Sequence, residues 1–293
     1  MSHAPLHYYL LGILSASSSL LESKIIVWDL VGVLFEPNRM KMGTHIVGKA
    51  SGGNPLTILK ITTDIPTEAH MKKVIKDVLD KIESPSPKNH LTKDDNGNSL
   101  SDIYCEYLAC NIPSSTMLSE IAQSIEDLAK EGYFKNTLER KLVAATMETI
   151  FTPRLYAHYM HPIKKGIALL KLCAEKMDKN GKPANQMMIL SNWDCESFPI
   201  LQRKKTSQKV FKYFKDENIF ISGQFNSVEG LKPCQWVFNY LMDYKKLKAE
   251  DFILIDNAPE NVDGARECGM QAIHIKKHDY AAAEAELRKL GAL

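Results

Sequence analysis

The sequence predicts an α/β fold: a doubly wound parallel sheet with an inserted helical domain. Three observations lead there. There are four short, mainly apolar runs, and the first three each end at a polar or acidic residue. Such a run fits a strand buried on both faces, as in a sheet covered by helices on either side. Helical patterns separate the later runs, and strands alternating with helices read as βαβ units. Between the first and second runs lies a mostly helical stretch too long to be one crossover helix.

The first strand is Lys24–Trp28, ending at Asp29 and followed by Leu30-Val31-Gly32-Val33-Leu34. The inserted stretch predicts helices over Thr67–Ile82, Leu100–Cys110, Ser114–Ala129 and Asn136–Ile150. Ser84-Pro85-Ser86-Pro87 and Asp94-Asp95-Asn96-Gly97 break it into pieces. A helix over Ile163–Met177 carries Ile167, Leu170 and Ala174 on one face, with Gly181 and Pro183 as the stop. The second strand, Met187–Leu190, ends at Ser191. A helix over Pro233–Met242, apolar at Trp236, Val237, Tyr240 and Leu241, precedes the third strand, Phe252–Ile255, which ends at Asp256. Asn261–Cys268 is helical and leads through Gly269 into the fourth strand, Gln271–Ile275. The expected division is an N-terminal arm over 1–23, a core over 24–38 and 156–293, and a helical cap over 39–155.

Composition narrows the function classes. A length of 293 residues suits two domains. A formal net charge of +2 gives no support for a nucleic-acid partner, and 44% hydrophobic with 25% charged residues argues against a disordered chain. No apolar run approaches the roughly 18 residues of a membrane span. The run Tyr8–Leu14, followed by Ser15–Ser19, is not preceded by Lys or Arg. It lacks the basic region of a secretion signal and reads as an arm leading into the first strand. The expected location is therefore the cytoplasm, with secretion through an atypical N-terminus left open. None of the six cysteines forms a C-x-x-C pair, so reduced thiols are expected.

In an open α/β sheet, ligands bind beyond the carboxyl ends of the strands. Asp29, the pair Ser191-Asn192, and the pair Asp256-Asn257 all stand at such ends. Lys232, in Gly230-Leu231-Lys232-Pro233, opens a helix. Each alone is commonly a turn, cap or surface residue. In this order, W-D-L-V-G-V-L, M-I-L-S-N-W, V-E-G-L-K-P and L-I-D-N-A-P-E-N-V-D-G-A-R resemble the four motifs of the haloacid dehalogenase-like (HAD) hydrolases. The likeness is to the phosphatase branch with a helical cap after the first motif. It covers about residues 24–36 and 160–277.

The resemblance implies a Rossmann-like core and Mg²⁺-dependent hydrolysis of a phosphomonoester. Asp29 would attack phosphorus and form an aspartyl-phosphate. The metal ligands would be Asp29, the backbone carbonyl of Val31, Asp256 and Asn257. Ser191, Asn192 and Lys232 would hold the phosphate. A small phosphorylated metabolite is the expected substrate, and the cap is where a protein partner would dock.

Two departures from the motifs stand out. The second acid that usually follows the nucleophile by two residues is Val31, which transfers no proton. General acid–base help of that kind is typically worth about 10²–10⁴-fold. Asn257 replaces a second acid, which predicts weaker metal binding. Two alternatives stay open. One is a catalytically weak or inactive binding protein of the same family. The other is a metal-free dehalogenase, in which Asp256 has no role.

Overall fold

The computed structural model describes residues 24–63, 66–85 and 99–293. Its strands are β1 (Lys24–Trp28), β2 (Phe35–Pro37), β3 (Met160–Pro162), β4 (Asn185–Ser191), β5 (Ile219–Ile221), β6 (Phe252–Asp256) and β7 (Gln271–His274). Five of them form one parallel sheet in the order β5-β4-β1-β6-β7. The chain steps from β1 through β4 to β5, then crosses back to build β6 and β7 on the other side. The order therefore reverses between β1 and β6, the point where open α/β sheets leave a crevice for ligands.

The remaining strands, β2 and β3, pair antiparallel and form a two-stranded stalk. Between them run α1 (Arg39–Ser51), α2 (Pro55–Thr63), α3 (Glu68–Asp80), α4 (Asp102–Leu108), α5 (Ser114–Lys130), α6 (Thr137–Phe151) and α7 (Pro153–Tyr159). The helix starts have local causes. Thr67 and Asn136 cap α3 and α6 by accepting the backbone N–H groups of His70 and Glu139. The helices α3, α4, α5 and α6 pack around an apolar cluster of their own, including Val74, Val78, Ile103, Ile121, Val143 and Phe151. A smaller cluster joins α1 and α2 to α6 through Ala50, Ile61, Leu142 and Ala145. The boundary expected between 155 and 156 falls inside α7, whose Ala157 packs into the core beneath the sheet.

The other helices are α8 (Lys164–Glu175), α9 (Phe198–Arg203), α10 (Gln208–Phe211), α11 (Gln235–Lys245), α12 (Pro259–Glu267) and α13 (Tyr280–Lys289). Because strand side chains alternate, β1 sends Ile26 and Trp28 to one face and Ile25 and Val27 to the other. The first face is covered by α8, α9, α10 and α13, and the second by α11 and α12. This two-sided burial is why the strands read as mainly apolar runs. Each fully buried Ile, Leu or Val contributes about 1.5–3 kcal/mol.

The structure adds β2, β3, β5, α1, α2, α7, α9, α10 and α13 to the elements expected from sequence. It also corrects the cysteine reading. Cys110, just beyond α4, and Cys195, just beyond β4, form a disulfide with a Cα–Cα distance of 6.0 Å across 85 residues of sequence. Sequence spacing cannot reveal a pair that only folding brings together. Disulfides belong to oxidising surroundings, so the expectation of reduced thiols does not hold for this pair. Cys105, Cys173, Cys234 and Cys268 are not part of this disulfide. Among the described residues, no helix is long and apolar enough to cross a membrane. The arm expected over 1–23 lies outside the described residues.

Candidate active site

The end of β1 delivers Asp29 into the crevice. Its backbone N–H bonds the carbonyl of Ile255 in β6 at 3.0 Å, which fixes the start of the following turn. That turn passes through Gly32 at φ +83°. A Cβ there would stand 2.6 Å from the Asn257 side chain, so only glycine lets the two loops approach this closely. Ser191 ends β4, Asp256 ends β6, and Lys232 precedes α11.

These groups meet in a tight buried cluster. Asp29 Oδ1 accepts the Ser191 hydroxyl at 3.0 Å and the Lys232 ammonium at 2.7 Å. The same ammonium donates to Asp256 Oδ2 at 2.5 Å. Asp256 also accepts the Ala258 N–H at 2.9 Å and the Asn261 amide at 3.1 and 3.2 Å. Asn192 holds Lys232 in place from behind. Its side chain donates to the Lys232 carbonyl at 2.9 Å and accepts the Lys232 N–H at 2.8 Å. The lysine is 1% exposed, Asp256 1% and Asp29 6%, so this is an ion cluster withdrawn from water.

Burial sets the electrostatics. Loss of solvent pushes the Asp29 carboxyl up to about 6; Lys232 opposes that rise and the Asp256 charge adds to it. Desolvation also works against the charged form of Lys232, but the carboxylates of Asp256 and Asp29 outweigh it and hold the ammonium above its usual range. Of its three N–H bonds, two serve the carboxylates, leaving one for a ligand. Asp29 Oδ2 accepts no hydrogen bond among the described residues, so it is the oxygen open to a ligand.

All seven residues expected from sequence, Asp29, Val31, Ser191, Asn192, Lys232, Asp256 and Asn257, line one cavity of about 460 Å³. Ser191 spends its hydroxyl proton on Asp29, so an incoming phosphate would have to compete for it. Sequence reasoning missed the opposite wall. It is built by the helical block, with Ile75 and Leu79 from α3, Tyr104 and Leu108 from α4, and Ile150 and Phe151 from α6. Tyr156 of α7 completes it. Nothing in the spacing of these residues aims them at Asp29. Asn261 was visible in sequence, but its bifurcated hydrogen bond to the Asp256 carboxylate was not.

Among the described residues, no three His, Cys, Asp or Glu side chains form a metal site by themselves. The donors available to a cation are Asp29 and Asp256, completed by the Asn257 amide and the Val31 carbonyl. Two buried carboxylates face one ammonium, and one carboxylate oxygen lacks a donor. An all-oxygen set with uncompensated negative charge fits a hard divalent cation.

Compared with solved structures, the chain is similar to a HAD family enzyme from Bacteroides thetaiotaomicron in complex with magnesium and inorganic phosphate. The two are 14% identical with a TM-score of 0.44, over 86% of this chain and 93% of that one. It is also similar to a predicted HAD-like family hydrolase from Porphyromonas gingivalis, at 12% identity and a TM-score of 0.48 over 92% and 98% of the chains. A 2-haloacid dehalogenase from Pseudomonas syringae pv. Tomato DC3000 gives 11% identity and a TM-score of 0.48 over 91% and 99%. No protein-family model and no curated protein matches the sequence. The functional reading therefore rests on the residues of the site.

Proposed function

We propose that this chain is a HAD-like hydrolase that cleaves a small phosphomonoester through an aspartyl-phosphate on Asp29. The observation that carries the reading is the state of that carboxylate. One oxygen is held by Ser191 and Lys232 while the other is open to the cavity. A carboxylate so fixed presents a single oxygen for in-line attack. Residues 39–155 act as the cap that closes the cavity, and its volume suits a small molecule.

Each residue then has a task. Asp29 Oδ2 attacks phosphorus as the ester oxygen departs with its bonding pair, and the third N–H of Lys232 donates to a phosphate oxygen. Asn192 keeps Lys232 oriented, and Asn261 keeps Asp256 oriented. Water then attacks phosphorus, the bond to Asp29 breaks, and phosphate departs. Asp29, Asp256, Asn257 and the Val31 carbonyl are the residues to hold Mg²⁺, which when bound supplies charge neutralisation between carboxylate and phosphate.

The test is a panel of phosphomonoesters assayed with and without Mg²⁺, with Asp29→Asn as the blank. Hydrolysis by the wild type that the blank lacks supports the reading. Equal rates in both would end it. A second reading, a phosphate-binding protein without turnover, draws on Val31, which leaves the cavity with no acid at that position. It predicts phosphate binding that survives in a protein with no Asp29-dependent rate. A dehalogenase fits less well, because four donor contacts converge on an Asp256 carboxylate that such chemistry does not use.

A further inference from the structure

The cavity wall opposite Asp29 describes the leaving group. Tyr104 and Phe151 meet edge to face, with ring centroids 5.7 Å apart. Tyr156 packs against Trp193 at 5.5 Å. With Leu108 and Ile150, these three rings form an apolar and aromatic surface facing the nucleophile. Among the described residues, the cap contributes no Asp, Glu, Asn, Gln, Arg or His to this cavity. Those are the side chains that would hold the many hydroxyls of a sugar. Two cationic side chains, Lys72 and Lys76, also line the cavity; they pair with Glu68 at 3.2 Å and with Asp80, outside the ring of aromatic residues. Ser99 and Ser101 line it too, and the Ser101 hydroxyl donates to Asp80 at 2.8 Å.

A second observation is independent of the wall. Val31 lines the same cavity and has no proton to give, at the position where the family that the motifs resemble usually carries its proton donor. The phenol hydroxyls of Tyr104 and Tyr156 have no hydrogen-bond partner among the described residues, and burial holds both phenols well above their usual range. Such groups donate a hydrogen bond, and burial makes them weaker acids than the carboxylic acid that position 31 lacks. A leaving group that departs without a proton must itself be a stable anion.

We infer that the substrate is a small aryl phosphomonoester, its ring lying against Tyr104, Phe151 and Tyr156 and its oxygen departing as a phenolate. The inference rests on the phosphatase reading above and adds the substrate class to it. In the first step the Asp29–phosphorus bond forms and the phosphorus–aryl oxygen bond breaks. The electron pair stays on the aryl oxygen, which takes its proton from water after release. In the second step, water oxygen bonds to phosphorus, the Asp29 oxygen leaves as carboxylate, and the water proton passes to phosphate or solvent.

The experiment compares four substrates. Phenyl phosphate has a ring and a phenolate leaving group, and benzyl phosphate has the ring but an alkoxide. Acetyl phosphate has a good leaving group but no ring, and a tyrosine-phosphorylated peptide carries the aryl phosphate on a larger body. The kcat/KM of phenyl phosphate should exceed that of benzyl phosphate by about 10²-fold or more, the help that a missing acid no longer gives. Tyr104→Leu should lower the phenyl-to-acetyl ratio of kcat/KM by roughly 2- to 13-fold, the usual worth of one aromatic contact. In the wild type, phenylphosphonate should inhibit at lower concentration than methylphosphonate by a similar factor, a readout that does not depend on a variant folding. Equal kcat/KM for phenyl and benzyl phosphate, or equal inhibition by the two phosphonates, would overturn the assignment. A peptide cleaved as well as phenyl phosphate would overturn its small-molecule part. Failure to cleave any of the four, acetyl phosphate included, above the Asp29→Asn blank would remove the phosphatase reading itself.

Discussion

Lys232→Met keeps the length of the side chain and removes its charge, and the surroundings fix the consequence. The ammonium is 1% exposed and bonds Asp29 at 2.7 Å and Asp256 at 2.5 Å, both of them buried. Removing one partner of such a cluster typically costs about 3–5 kcal/mol, because the remaining charges stay buried without compensation. Here the cost belongs at the lower end. Asp256 keeps its bonds from Ala258 and Asn261, and Asp29 keeps Ser191. Asp29 also has an escape, since its carboxyl, already pushed up to about 6, would take up a proton once Lys232 is gone. In a chain of this length each kcal/mol moves Tm by about 2 °C, so a drop of roughly 6 °C is expected at pH 7.5. Protonation relieves the penalty, so the gap between wild type and variant should narrow at pH 5. Thermal unfolding in chelator at the two pH values reads both. A drop below about 2 °C at pH 7.5, or a gap that widens at pH 5, would refute the claim that Lys232 neutralises a buried pair.

Three further outcomes follow from the same site. Val31→Asp places a carboxyl in the cavity near the leaving oxygen, and should raise alkyl phosphate kcat/KM by up to about 10²–10⁴-fold while changing aryl phosphates less. A uniform change across substrates would remove Val31 from the account. Asn257→Asp adds a charged oxygen to the proposed cation ligands, and should lower the Mg²⁺ concentration for half-maximal activity; an unchanged requirement in a Mg²⁺ titration would count against Asn257 as a ligand. Only ionised Asp29 attacks, so kcat/KM should fall as pH drops through a limb at or below about 6, because burial raises this carboxyl to about 6 and a bound cation moves it only downward. A limb above pH 7 in the pH profile would contradict Asp29 as the titrating nucleophile.

Among the strands, those legible in sequence were the ones buried on two sides. Each of β1, β4, β6 and β7 is flanked by helices on both faces, so each left an apolar run long enough to recognise. By contrast, β5 has three residues, Ile219–Ile221, too few to stand out. Helices α1 and α2 escaped because their apolar residues do not mark a buried face. Met40 is 82% exposed and Leu56 73%, so periodicity carried little signal. The core half of the site was legible because each residue ends a strand or opens a helix, positions with local signatures. The cap half was not. Tyr104, Phe151 and Tyr156 belong to three different helices and converge only through tertiary packing. The same holds for Cys110 and Cys195, whose pairing joins the cap to the loop beyond β4.

The most direct test of the account is a rapid-quench experiment with a phosphorus-labelled aryl phosphate. Acid quench at early times, followed by peptide mapping, should find the label on the protein at Asp29, rising before free phosphate and absent from Asp29→Asn. Turnover with no labelled protein under conditions where the phenol is released in a burst, or label on any other residue, would contradict an aspartyl-phosphate at Asp29.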